Sequence, residues 1–212
     1  MQDSVQENAA AQSEPLESAT PALTEQVKFE TLELDASVQR GIDALGFEFC
    51  SPIQGRILPH TLAGNAAIGK AQTGTGKTAA FGLPLLQKIT SKKLPPSSPR
   101  SPRSLILAPT RELALQILEN LESFSGNSKI SFSCVIGGIN QNSQIRKNSQ
   151  GIDVLVAAPG RLLDLINQGH IRLDQTEFLV LDECDRLLDM GFLPDVKPVS
   201  YTHLTLPTIC SV

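Results

Sequence analysis

The chain has 212 residues, of which 41% are hydrophobic and 19% charged, and its net charge at neutral pH is −4. This length and composition are typical of one sizeable globular domain, and no apolar run approaches the roughly 20 residues that a membrane helix needs. No secretory signal is visible at the N-terminus, so we expect a cytoplasmic protein without a membrane partner. The four cysteines are widely scattered, which argues against a zinc site.

Charge is distributed unevenly along the chain. Residues 1–35 carry eight of the 22 acidic residues and one of the 18 Lys and Arg residues. The remainder therefore has 14 acidic against 17 basic residues, a mildly basic balance that fits a nucleic-acid partner without demonstrating one. Residues 1–26 are rich in Gln, Ser, Glu, Ala and Pro and lack apolar periodicity, so they predict a disordered acidic leader.

Helical and strand-like patterns alternate after this leader. The spacing of apolar residues predicts a helix over 36–45 and a second helix from Pro52 onward. Predicted strands then cover 66–68, 105–107, 131–136, 154–156 and 178–181, and predicted helices cover 77–89, 112–124, 142–147 and 161–168. Repeated strand–helix alternation predicts an α/β fold, with a parallel sheet that carries helices on both faces.

The segment AQTGTGKT, between a predicted strand and a predicted helix, has the chemistry of a P-loop. Its glycines let backbone N–H groups curl around phosphates, and the following helix N-terminus adds favourable partial charge. In such a loop Lys77 reaches the β- and γ-phosphates and the Thr78 hydroxyl binds Mg²⁺. The alternative is a Gly- and Thr-rich turn before an ordinary helix, since Ala71 stands where the strict pattern has glycine. The predicted nucleotide site comprises Ala71, Gln72, Thr73, Gly74, Thr75, Gly76, Lys77 and Thr78.

A second candidate site lies at 179–185, LVLDECD, where an apolar strand ends in carboxylates. Asp182 is placed to hold Mg²⁺, and Glu183 to polarise the water that attacks the γ-phosphate. A strand that ends in acids is commonplace by itself. Ligands of open α/β sheets bind beyond the carboxyl ends of the strands, so this motif and the P-loop should meet there. Together they predict a domain that hydrolyses a nucleotide with Mg²⁺, a description that also covers kinases, GTPases and many motors.

Five further motifs, in order along residues 29–195, make the chain resemble the DEAD-box RNA helicases. GFEFCSPIQ at 46–54 is similar to the Q motif, and APTREL at 108–113 is similar to motif Ia. Gly137 and Gly138 match the glycine doublet, and PGR at 159–161 matches motif Ib, although Ala158 replaces the usual Thr. DECD resembles the DEAD box itself. The P-loop and the segment DRLLDMGF look most like bacterial helicases of the RhlB and RhlE kind.

The resemblance implies a RecA-like P-loop domain that binds ATP and Mg²⁺, with a role for each matching residue. Gln54 would read the adenine edge, and Phe29, which lies seventeen residues before the Q motif, would stack on the ring. Glu183, Lys77 and Asp182 would be catalytic, with Thr78 and Asp182 as metal ligands. RNA phosphates would be contacted, independently of base sequence, by Pro109, Thr110, Arg111, Gly137, Gly138, Pro159, Gly160 and Arg161.

We expect the RecA-like domain to cover 27–197 and the segment 198–212 to be a non-native tail. That segment reads PVSYTHLTLPTICSV, shows no helical continuation, and resembles translated sequencing-adapter sequence. The alternative is a natural, divergent C-terminus.

The family resemblance also implies a function. The intact parent would be an ATP-dependent RNA helicase that couples RNA-stimulated ATP hydrolysis to local duplex unwinding, with partners in RNA decay or ribosome assembly. The chain itself would be a weak ATP- and RNA-binding domain, inactive without the arginine fingers of a second domain. The alternatives are a non-catalytic ATP- and RNA-binding module, a P-loop kinase or transport ATPase, and an assembly artefact of a longer gene.

Overall fold

The computed structural model of the chain describes residues 26–91, 99, 101–192, 194 and 208–211. The predicted acidic leader at 1–26 lies outside these residues except for its last position, and so does most of the predicted tail at 198–212. Among the described helices, none is both long enough and apolar enough to cross a membrane.

The core of the fold is a sheet of parallel strands in the order β1-β6-β5-β2-β4-β3. The three central strands are in register, so that Leu105 of β2 is level with Leu155 of β4 and with Leu179 of β5. The prediction of a parallel sheet is confirmed, and all five predicted strands are present. The strands are β1 Ala67–Gly69, β2 Ser104–Leu107, β3 Phe132–Val135, β4 Val154–Ala157, β5 Phe178–Leu181 and β6 Thr208–Ser211.

Strand β6 was not predicted, and it lies beyond the predicted domain boundary at residue 197. It pairs with both β1 and β5, and Ile209 is level with Ala67 on one side and Val180 on the other. A run as short as TICS carries too little pattern for periodicity to assign it to a strand. The sheet therefore includes residues 208–211, which lie beyond the predicted boundary at 197. The boundary itself and the non-native origin of 198–212 stay predictions.

Within the described ranges, seven α-helices and one short 3₁₀-helix surround the sheet. Side chains cap three of these helices at their N-termini: Asp35 accepts a hydrogen bond from Ser37 N at 2.8 Å, Thr110 accepts one from Leu113 N at 3.2 Å, and Asn140 accepts one from Asn142 N at 2.9 Å. The bonds from Ser37 also lower the pKa of Asp35. The helices are α1 Ala36–Ala44, α2 Pro52–Leu62, α3 Lys77–Ser91, α4 Arg111–Phe124, α5 Gln141–Ser149, α6 Pro159–Asn167, α7 Cys184–Asp189 and the 3₁₀-helix Phe29–Leu32.

Alternate strand residues point to opposite faces of the sheet and fill two cores. On one face Ile106 and Val180 pack with apolar side chains of α1 to α4. On the other face Leu105 and Leu179 pack with α6 and α7, through residues such as Leu162. All five side chains are at most 1% exposed. Helices on both faces, as predicted, leave the ends of the strands as the accessible edges of the sheet.

Gly41 allows α1 to lie directly against the backbone of α4. A Cβ at this position would come within 2.9 Å of the Ser123 carbonyl oxygen and would collide with that of Phe124. Backbone atoms cannot move aside as a flexible side chain can. We therefore expect Gly41→Ala to lower the free energy of unfolding by about 1–3 kcal/mol, measured by urea titration, although alanine normally favours a helix.

Gly55→Ala in α2 is the matched control. A Cβ there would meet Val27 at 3.5 Å, which is ordinary van der Waals contact. We expect this variant to gain about 0.5–1 kcal/mol from helix propensity. Effects of the same sign and size in the two variants would contradict the backbone contact at Gly41.

Candidate nucleotide and RNA site

Five of the motifs singled out in the sequence each follow a strand at the same edge of the sheet. The P-loop follows β1 and DECD follows β5, whereas motif Ia, the glycine doublet and motif Ib follow β2, β3 and β4. Parallel strands share the edge at which they end, so the motifs are neighbours in space. The strand order places β1 and β5 in one half of this edge and β2, β4 and β3 in the other. We call these the nucleotide half and the RNA half.

Two cavities occupy the nucleotide half, and they share Thr73, Lys77 and Glu183. The larger has a volume of about 520 Å³ and is lined in addition by Lys70, Ala71, Gln72, Asp185, Arg186 and Asp189. The second, of about 240 Å³, includes Phe47, Gln54, Gly74, Gly76, Thr78 and Asp182, together with side chains of α4. The structure thus brings the P-loop, the Q-motif glutamine and the DECD carboxylates together around two adjacent cavities.

Gln54 joins the Q motif to the P-loop. Its Nε2 donates a hydrogen bond to Gly76 O at 3.0 Å, and its Oε1 accepts one from Ser51 N at 2.8 Å. Gly76 has a φ of +88°, and a Cβ there would collide with the Gln54 amide. Only glycine adopts this positive φ readily and also lacks the Cβ that would strike the amide. A base that bound Gln54 would contact an amide already attached to the phosphate loop, so base recognition and loop geometry are coupled.

Phe29, predicted to stack on the adenine, is not open to a base in this structure. It is 1% exposed and packs against Phe47, with 6.4 Å between the ring centroids. A backbone hydrogen bond from Phe29 N to Glu48 O, at 3.1 Å, holds it against the Q motif, within the core. Phe47, which the sequence reasoning did not single out, is the more accessible of the two rings: it is 44% exposed and lines the cavity with Gln54. Its signal was present as the aromatic residue of the Gly46–Phe47 pair that opens the Q motif.

The two acids of DECD have different environments. Asp182 is 4% exposed, at the end of β5, and accepts a hydrogen bond from Glu183 N at 3.1 Å. Glu183 has a φ of +49°, a left-handed conformation that is strained for a residue with a side chain and is concentrated at functional sites. Its carboxylate accepts a hydrogen bond from the Arg186 guanidinium at 3.1 Å. The strained turn holds Glu183 at the cavity while Asp182 stays buried behind it.

The oxygen atoms of Thr78 and Asp182 suit a magnesium ion. They line the same cavity, and hydroxyl and carboxylate oxygens are ligands that Mg²⁺ prefers. Mg²⁺ usually takes one or two protein ligands and completes its shell with phosphates and water. Within the described residues no cluster of three or more His, Cys, Asp or Glu could hold a metal by itself. The donor set therefore fits an ion that is held jointly with a nucleotide.

Two cysteines near these motifs lie where burial favours the protonated thiol. Burial raises the pKa of the Cys50 thiol, in the Q motif, to about 11, and that of Cys134, in β3, to about 11 as well. Both thiols stay protonated at neutral pH, and the thiol form is neither a nucleophile nor a metal ligand.

In the RNA half, motif Ia and the glycine doublet lie against each other. The Thr110 hydroxyl accepts a hydrogen bond from Leu113 N and still has its own O–H to donate to a phosphate. The guanidinium of Arg111 lies so close to Gly138 that a Cβ there would collide with it. Gly138 also has a φ of +74°. Glycine is therefore required for two reasons, the space taken by Arg111 and the left-handed backbone.

Motif Ib begins α6 at the end of β4, the strand between β2 and β3. Pro159 is buried and Gly160 exposed in the first turn. The Arg161 guanidinium donates to Gln141 Oε1 and to Asp164 Oδ2, both at 3.0 Å. A phosphate that bound Arg161 would therefore compete with a carboxylate already in place.

The parallel sheet and the P-loop after its first strand together define a RecA-like P-loop domain. A family model described as DEAD/DEAH box helicase matches residues 51–209. The chain therefore belongs to the DEAD/DEAH box helicase family.

Individual relatives agree with this assignment. The chain is 42% identical over 176 residues to the ATP-dependent RNA helicase RhlB of Pseudomonas syringae pathovar tomato, covering 81% of this chain and 44% of that protein. It is also 42% identical over 182 residues to the DEAD-box ATP-dependent RNA helicase CshA of Bacillus cereus, covering 84% and 34%. A solved DEAD box protein from the hyperthermophile Methanococcus jannaschii matches with a TM-score of 0.77 and 32% identity, over 87% of this chain and 49% of that one. The chain thus spans less than half the length of these relatives.

Ala158, the departure from motif Ib, is the N-cap residue of α6 and makes no side-chain cap, although its φ of −87° and ψ of 136° are suitable. A threonine there would supply an oxygen to the free N–H groups of the first turn. We expect Ala158→Thr to raise the free energy of unfolding by about 1 kcal/mol, measured by urea titration. Ala158→Val adds a similar shape without the hydroxyl, so an equal gain in that variant would show that packing, not capping, is responsible.

Proposed function

We propose that the nucleotide half binds ATP with Mg²⁺ and that the RNA half binds RNA through its phosphates. The observation that supports this most directly is the single edge shared by both sets of motifs. The P-loop, Gln54 and the DECD acids line two adjacent cavities, and Arg111, Gly138 and Arg161 follow the neighbouring strands. In the whole protein, we propose that this arrangement couples RNA-stimulated ATP hydrolysis to local duplex unwinding.

In the proposed ATP complex each group has a distinct task. The backbone of 71–78 and Lys77 would hold the phosphates. Thr78 and Asp182 would hold Mg²⁺, which when bound neutralises charge on the phosphate oxygens. Glu183 would orient the attacking water and accept a proton from it. Gln54 would read the adenine edge while Phe47, the exposed ring of this cavity, would stack on its face.

In the proposed RNA complex the contacts carry no information about base sequence. Thr110, Arg111 and Arg161 would bind phosphate oxygens, and the exposed backbone of Gly138 and Gly160 permits close approach. Recognition of RNA would then come from backbone shape and 2′-hydroxyl groups. A cytoplasmic location and, for the whole protein, partners in RNA decay or ribosome assembly belong to the same proposal.

A non-catalytic ATP- and RNA-binding module is the alternative. The alternative is supported for this chain by the share of two helicase relatives that it matches. The match covers 44% of one relative and 34% of the other, so more than half of each relative has no counterpart in the 212 residues. Measuring ATP hydrolysis by the 212-residue chain, with and without RNA, separates the two readings. Binding of both ligands without hydrolysis supports the module, whereas RNA-stimulated hydrolysis supports catalysis by this chain itself.

Nucleotide binding is tested with a fluorescent ATP analogue and Mg²⁺. We expect Lys77→Ala to abolish binding, because the phosphates lose their cation. Phe47→Ala should weaken binding roughly tenfold, in line with the loss of one base–aromatic stack. Leu45→Ala is the control, since Leu45 is also exposed and close in sequence. Unchanged affinity in Lys77→Ala would refute the P-loop assignment, and equal effects of the Phe47 and Leu45 variants would refute stacking by Phe47.

RNA binding is tested by fluorescence anisotropy with a single-stranded RNA at several salt concentrations. Arg161→Ala should weaken binding and reduce the slope of log affinity against log salt by about 0.7, the value of one phosphate contact. Asp164→Asn should strengthen binding about threefold, because it frees Arg161 from an ion pair.

The control pair lies before β5, near the opposite edge of the sheet. Arg172 and Asp174 form an exposed ion pair there, so Arg172→Ala and Asp174→Asn make the same charge changes away from the proposed RNA half. If the control variants shifted RNA affinity as much as the variants at Arg161 and Asp164, net charge rather than motif Ib would account for binding.

A further inference from the structure

We infer that Gln144 is a positioning residue for RNA binding, because it holds the glycine doublet in the conformation against which Arg111 rests. This inference rests on the proposed function, in which the doublet and Arg111 contact RNA phosphates. Gln144 belongs to α5, a helix that contributed no residue to the predicted RNA site.

The side-chain amide of Gln144 spans the doublet from one side to the other. Gln144 is 5% exposed, and its Oε1 accepts a hydrogen bond from Ile136 N at 3.1 Å. Its Nε2 donates to Ile136 O at 3.2 Å and to Ile139 O at 3.3 Å. Ile136 immediately precedes the two glycines and Ile139 immediately follows them. One amide therefore fixes both ends of a two-residue loop.

The loop needs such support because its own residues provide little. Neither glycine has a side chain to anchor it, and a Cβ built on Gly137 would have no neighbour within 4 Å. Gly138 is in the left-handed region and carries the close contact with Arg111. A shift of the loop would therefore move the surface on which the Arg111 guanidinium lies.

The same helix turn also reaches the other arginine. Gln141, three residues before Gln144, accepts the hydrogen bond from Arg161 through its Oε1. Gln141 also donates to Gln168 Oε1 at 2.7 Å, and Gln168 donates to Asp164 Oδ1 at 2.7 Å. The first turn of α5 is thus connected to Arg111 through Gln144 and the doublet, and to Arg161 directly.

A purely structural role for Gln144 would make a different prediction. Two of its three hydrogen bonds satisfy buried backbone groups of Ile136, which any folded domain requires. The third reaches the carbonyl of Ile139, whose side chain is 41% exposed, so it contributes to the geometry of the loop rather than to the core. A structural residue would alter stability and both ligand affinities together, whereas a positioning residue alters RNA affinity selectively.

The test compares Gln144→Met with Asn148→Leu in the 212-residue chain. Asn148 lies one turn further along α5, is 1% exposed, and its side-chain amide has no hydrogen-bond partner among the described residues. Both substitutions replace a buried amide by an apolar side chain of similar size, but only Gln144 holds the loop. RNA affinity is measured by anisotropy, nucleotide affinity with a fluorescent ATP analogue, and folding by urea titration.

We expect Gln144→Met to weaken RNA binding roughly tenfold, because lost hydrogen bonds let the contact surface shift. ATP-analogue affinity should stay within about twofold, and Asn148→Leu should leave both affinities unchanged. In the Arg111→Ala background, Gln144→Met should have a smaller effect than alone, because two residues that act through one contact are not additive. If Gln144→Met does not fold, Gln144→Glu, which keeps the acceptor for Ile136 N but lacks the donor, should show the same loss.

Unchanged RNA affinity in a folded Gln144 variant would overturn the inference and leave the proposed function standing. Equal losses of RNA and ATP affinity would overturn it as well, since they indicate a general structural role. A wild-type chain that binds ATP but no RNA would instead overturn the RNA part of the proposed function, and the inference with it.

Discussion

The parallel direction of every described strand is the constraint on which the site depends. Parallel strands end at one edge, and a loop that leaves this edge can reach a ligand only if the edge is not covered by the crossover helices. Two packed cores keep the helices on the faces of the sheet and leave the edge accessible. Five motifs, spread over more than a hundred residues of the chain, are thereby gathered at this edge.

Strand order then divides this edge into the two halves for which ATP and RNA binding are proposed. Because β5 pairs with β2, the DECD acids end beside motif Ia, and the nucleotide half meets the RNA half at that boundary. The side chains at the ends of the strands add short links within each half. Gln54 attaches the Q motif to Gly76 in the nucleotide half, and Gln144 attaches α5 to the glycine doublet in the RNA half. In each case a buried glutamine amide fixes a loop whose glycines cannot fix themselves.

The sequence predicted those features whose signal is local, and it failed where tertiary context decided. Five strands, and the P-loop between a strand and a helix, followed from apolar runs and local sequence, whereas the Q motif, motifs Ia and Ib and the glycine doublet were identified by resemblance to a family. Strand β6 was not predicted, because four residues between two existing strands are assigned by the vacant place in the sheet rather than by their own pattern. The burial of Phe29 behind Phe47 and the bonds of Gln144 were likewise hidden, since an aromatic ring or a glutamine does not reveal from sequence which neighbour it meets.

Backbone hydrogen bonds continue across the boundary between the two halves. Asp182 N donates to Leu107 O, Ala108 N to Ala157 O, and Ala158 N to Val135 O, each at 3.0 Å. This series joins DECD to motif Ia, motif Ia to motif Ib, and motif Ib to the strand that leads into the doublet. In the proposed complex this ladder would set the spacing between nucleotide and RNA, because each bond joins the end of one strand to its neighbour. The side chains beyond the ladder have partners of their own: Glu183 pairs with Arg186, Arg161 pairs with Asp164, and the Arg111 guanidinium lies against the loop that Gln144 holds.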